Sequence, residues 1–222
     1  SIAGAGIVGV NPGPTWQVKG SADFFGDSHA DILWQNTNGQ VAIWDMNGAA
    51  IVGGGTIGLN PGSTWQVEGT GNFFNDSHND ILWQNTSGQV AIWDMNGTSI
   101  IGGGVVGVNP GSQWQIKGTG NFFNDGHNDI LFQNTNGQVA IWDMNGTSII
   151  GGGIVGVNPG QGWQIKGVGN FFGNGNTDIL FQNTNGQLAV WDMSGTTIHG
   201  GGIVNVNPGP NWQVQGVGEY FG

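Results

Sequence analysis

Side chains able to do chemistry recur in this 222-residue chain at a constant spacing of 49. Trp16, Trp65, Trp114, Trp163 and Trp212 each stand shortly after an Asn-Pro-Gly and open a Trp-Gln-Val or Trp-Gln-Ile. A second group is made of amides: Gln35, Asn36 and Gln40, then Gln84, Asn85 and Gln89, then Gln133, Asn134 and Gln138, then Gln182, Asn183 and Gln187. A side-chain amide both donates and accepts hydrogen bonds, which suits a ligand that presents neutral hydroxyls. Closing the turns on which they sit is the competing job for these residues.

Nothing comparable points to catalysis. There is no Ser-His-Asp order, no phosphate loop and no singular pair of acids, and every candidate carboxylate is copied repeat by repeat. The sequence reads as that of a binding protein without a cofactor, not of an enzyme. Three Lys and no Arg against 14 acids give a net charge of −11, which repels a nucleic-acid backbone and an anionic membrane surface alike. The absence of Cys excludes disulfides and thiolate metal sites. No apolar run approaches the roughly 18 residues of a membrane span, so membrane insertion is not expected. The opening SIAGAGIVGV lacks the basic-then-apolar order of an export signal. The chain reads as water-soluble; a secreted or cell-surface location would require a signal already removed.

The elements that must carry these residues are β throughout. DILWQNT and QVAIWDM are β-branched and aromatic runs of strand length joined by Asn38-Gly39, which predicts a two-residue type I′ hairpin. A second such turn at Asn47-Gly48 leads to AAIVGGGTIG, whose three glycines fit an outer strand. With WQVKGSADFF in front, each unit holds four consecutive antiparallel strands. Units of that size and strand number predict a β-propeller. The repeats span about 16–64, 65–113, 114–162 and 163–211 of a single domain, 1–222. Residues 1–15 and 212–222 supply an outer and an inner strand of an incomplete closing blade, for five blades in all; four blades with extra edge strands is the alternative.

GSADFFGDSHADILWQNTNGQVAIWDMNG resembles the FG-GAP or VCBS class of repeat, whose blades run from an Asp-rich connector through D-I/L-L-W to a hairpin ending in MNG. The resemblance covers nearly the whole chain and implies a propeller; a bacterial propeller lectin is one kind of protein built this way. It also implies a calcium loop of the form D-x-N/D-x-D-G-x-x-D. In the first repeat Asp23, Asp27 and Asp31 hold its first, fifth and ninth positions, but the third is Phe25, which has no oxygen to give. Capping of the connector's backbone N–H groups is the preferred role for these carboxylates, with a calcium-dependent module the lesser reading. His29, His78 and His127 lie in the same connector and are read as loop residues.

Trp44, Trp93, Trp142 and Trp191 sit mid-strand and are assigned to packing between blades. Trp34 and Trp83 become Phe132 and Phe181, as suits packing that accepts either ring. The resulting expectation is a multivalent carbohydrate-binding protein for glycans or glycoconjugates, with one weak site per blade built from the Trp16 row and the amide clusters. A structural or protein-interaction propeller is the rival. Unpaired strand edges at the chain ends also predict a homodimer.

Overall fold

The computed structural model describes residues 6–217. They form sixteen strands in four antiparallel sheets, each in simple sequential order. The first sheet holds β1 (Trp16–Ala22), β2 (Asp31–Asn36), β3 (Val41–Asn47) and β4 (Ala50–Thr56). The second holds β5 (Trp65–Gly71), β6 (Asp80–Asn85), β7 (Val90–Asn96) and β8 (Ser99–Val105). The third holds β9 (Trp114–Gly120), β10 (Asp129–Asn134), β11 (Val139–Asn145) and β12 (Ser148–Ile154). The fourth holds β13 (Trp163–Gly169), β14 (Asp178–Asn183), β15 (Leu188–Ser194) and β16 (Thr197–Ile203). The chain divides into two compact units, Ser1–Val108 with the first two sheets and Asn109–Gly222 with the last two.

Both predicted turns exist, but neither is type I′. In the first hairpin the Asn36 carbonyl accepts from Gly39 N at 2.8 Å, and Asn36 N donates to the Gln40 carbonyl at 2.7 Å. Only Gly39 has positive φ, 94°. This is a three-residue loop, a tight turn closed by one left-handed glycine, in place of two left-handed residues. A side chain on Gly39 would also run into the backbone of Gly62 in the next Asn-Pro-Gly connector, so glycine is required twice over. In the second hairpin Gly48 alone is left-handed (φ 60°), which is the type II′ pattern.

Each unit is held by an apolar layer between its two sheets. Phe24, Leu33, Val41, Ile43 and Ile57 of the first sheet meet Val67, Ile81, Trp83, Ala91, Trp93 and Met95 of the second. In the other unit Phe122, Leu131, Val139, Ile141 and Val155 meet Ile165, Ile179, Phe181, Ala189 and Met193. Within each unit the first sheet gives one face to the second, and the second gives one face back. In β2 burial alternates along the strand, with Asp31, Leu33 and Gln35 buried and Ile32, Trp34 and Asn36 only half-buried. The Gly-rich strands β4, β8, β12 and β16 each lie at an edge of their sheet and not in its centre, as their composition predicts.

A fifth sheet is not formed among the described residues. Residues 6–15 and 212–217 carry no strand assignment. The remainder of the expected closing blade, residues 1–5 and 218–222, lies outside the described residues.

Candidate functional site: a repeated aromatic slot

The Asn-Pro-Gly connector turns on itself through Asn109 Oδ1, which accepts from Gly111 N at 2.8 Å, and delivers Trp114 to the start of β9. Opposite, the register pairs Phe132 with Ala140 and Ile130 with Trp142 across β10 and β11. Since side chains alternate along a strand, these four residues share one face of the sheet. The rings of Phe132 and Trp142 pack with centroids 4.7 Å apart at 61°. Trp114 and Pro110 close one side and Gly153 and Ile154 the other, leaving a slot of about 210 Å³. The fourth sheet repeats it: Pro159, Trp163, Phe181, Ala189, Trp191, Gly202 and Ile203 surround a second slot of about 210 Å³, with Phe181 and Trp191 4.6 Å apart. Each residue of one slot lies 49 positions from its counterpart in the other. The corresponding pairs in the first two sheets, Trp34–Trp44 and Trp83–Trp93, have nearly the same geometry, at 4.8 Å and 4.7 Å.

Of the residues singled out from sequence, Trp114 and Trp163 line these slots. Trp16 and Trp65 are half-buried at the equivalent strand starts, whereas Trp212 is 70% exposed. The slot also recruits Phe132, Phe181, Trp142 and Trp191, which sequence reasoning had assigned to packing alone. Same-face arithmetic on the paired strands could have placed them beside the Trp114 row.

The glutamines have a different job from the one expected. Gln133 is buried; its Nε2 donates to the Trp163 carbonyl at 2.8 Å while its Oε1 accepts from Ile165 N at 3.0 Å. Gln35 does the same for Trp65 (2.8 Å) and Val67 (3.1 Å), and Gln182 for Trp212 (2.7 Å) and Val214 (3.1 Å). Gln84 is buried too and donates to the Gly88 carbonyl. Gln35, Gln133 and Gln182 thus spend both ends of the amide on the Trp-Gln-Val or Trp-Gln-Ile segment that opens the following repeat. They hold each Trp in place and are not free for a ligand.

The other amides build turns. Asn36 Oδ1 accepts from Asn38 N, Asn85 Oδ1 from Ser87 N and Gln89 N, Asn134 Oδ1 from Asn136 N and Gln138 N, and Asn183 Oδ1 from Asn185 N. Gln40 and Gln187 reach the carbonyls of Ile57 and Val204 at 2.6 and 2.7 Å, tying the hairpin to the end of the outer strand.

The connector acids serve the backbone as well. Asp23 accepts from the N–H groups of Gly26, Asp27 and Ser28, and Asp27 from that of His29, whose contacts hold its carboxyl below the usual range. Asp31 is fully buried, taking Phe24 N on one oxygen and Met46 N on the other. Asp80, Asp129 and Asp178 repeat this brace, which fastens the Phe-Phe connector to the end of the third strand. Burial pushes the carboxyl of Asp80 up to about 7 and that of Asp129 to about 6, against the opposing pull of these N–H groups. No group of three or more His, Cys, Asp or Glu suited to a metal occurs among the described residues.

No family model matches the chain. No curated protein matches it either. Among matching solved structures is the computationally designed Ika8 protein, at 13% identity and a TM-score of 0.46. The match covers 77% of this chain and 45% of that one, so this chain spans less than half the length of the designed protein.

Proposed function

We propose that the four sheets are blades of a propeller and that the chain is a multivalent carbohydrate-binding protein, with the aromatic slots as its sites. The observation that carries this reading is the recurrence of one slot, residue for residue, in the third and fourth sheets. Equal copies along a chain suit avidity for a repetitive target, since linked weak sites gain orders of magnitude over one. Aromatic rings offer a flat apolar face to the C–H side of a sugar ring, and the exposed loops beside them leave the hydroxyls in water. At about 210 Å³ each slot lies below the roughly 300–1,000 Å³ of sites for drug-sized ligands, which fits one sugar ring at a time. A net charge of −11 favours neutral over anionic sugars.

The test is a glycan array on the intact protein followed by calorimetric titration of the best hits. Binding to neutral glycans, lost when Trp114 and Trp163 are both replaced by Ala, supports the reading. A blank array together with a blank titration would leave the repeat as a structural or protein-interaction module.

A further inference from the structure

The interface between sheets in each unit has two halves. The half a sheet offers to its successor contains Phe24, Val41 and Ile57 in the first sheet and Phe122, Val139 and Val155 in the third; Phe24 and Ile57 are 0% and 1% exposed, Phe122 and Val155 1% and 2%. The half offered to a predecessor contains Val67 and Trp83 in the second sheet and Ile165 and Phe181 in the fourth, none more than 7% exposed.

Two halves stand open. On the fourth sheet Phe171 is 43% and Val204 36% exposed, at the positions of Phe122 and Val155. On the first sheet Val18 is 59% exposed, at the position of Val67, and Trp34 and Trp44 are only half-buried where Trp83 and Trp93 are buried. These open surfaces are the complementary halves of one interface the chain already makes twice. Neither resembles itself, so neither is suited to a two-fold contact between identical patches.

We propose that the open face of the fourth sheet binds the first sheet of a second copy of this chain, head to tail. The partner's β1 takes the place held here by Trp212–Val217. That segment lies where a following first strand belongs: Gln182 holds Trp212 and Val214, Lys166 Nζ donates to Gln213 Oε1 at 3.4 Å, and Val217 packs on Gly167 and Gly169. It pairs with no strand among the described residues. The incoming β1 has nearly the same sequence, WQVKG for WQVQG, and brings three bonded strands with it. The exchange keeps the Gln182 bonds and covers Phe171, Val204, Val18, Trp34 and Trp44 together.

The experiment uses the intact chain with Val18→Lys, which blocks one half, and Val204→Lys, which blocks the other. Both positions are exposed, so folding should be retained, as circular dichroism would verify. In sedimentation velocity the wild type is expected to exceed the mass of one chain with rising concentration, and each variant alone to stay at one chain. An equimolar mixture should give two-chain particles and nothing larger, because each particle has one usable junction. Deleting residues 212–222 should tighten association by vacating the place on the fourth sheet. A wild type that stays monomeric, including one whose own first sheet closes on its fourth, would overturn the proposal. So would single variants that assemble like the wild type, a mixture that stays monomeric, or a deletion that weakens association.

Discussion

At the residue scale, the same side-chain type serves different masters five residues apart. Gln133 is buried and braces the start of the next repeat, while Gln138 sits at the hairpin turn. Replacing Gln133 by Leu leaves the Trp163 carbonyl and Ile165 N without partners, at about 1–3 kcal/mol for each orphaned group. Urea denaturation should register that loss, and an unchanged midpoint would contradict the brace. The Trp positions were legible in sequence because a 49-residue register marks them plainly. The role of the glutamines was not, because an amide signals hydrogen bonding without naming its partner, and here the partner lies 30 residues away in the next repeat.

At the element scale, the Asn-Gly turn carries more constraint than its dipeptide signal suggests. Gly137 has φ 92° and abuts the carbonyl of Gly160 in the following connector. Gly137→Ala should cost about 1–3 kcal/mol from the left-handed backbone alone, with the steric overlap added to it. Substitution at Gly160, equally left-handed but facing open space, should cost less; thermal melts of the two variants would compare them. Strand order, the edge place of the glycine-rich strands and the hairpins followed from period and composition. The turn type did not, since Asn-Gly permits one or two left-handed residues and only the neighbouring connector decides.

At the scale of the whole molecule, the buried carboxylates set how stability varies with pH. The folded-state values of Asp80 and Asp129, about 7 and about 6, stand above the ordinary value of 3.8. The folded form therefore binds protons the unfolded chain has released, and stability falls as pH rises from about 4 through these values. The melting temperature should be higher at pH 5 than at pH 8, and Asp80→Asn with Asp129→Asn should flatten the profile. A melting temperature that climbs between pH 5 and 8 would contradict the burial argument. The all-β architecture and its repeat were readable from sequence, but the number of sheets was not. Residues 212–217 carry the signature of an inner strand, yet a strand is realised only when a neighbour completes its ladder.

The central claim is that the aromatic slots bind sugar rings, and calorimetric titration of the best neutral glycan into wild type and the Trp114→Ala, Trp163→Ala double variant tests it most directly. The account predicts saturable heat with the wild type, a stoichiometry above one per chain, and the loss of two sites in the variant while its fold persists by circular dichroism. Undiminished binding by that folded variant would contradict it.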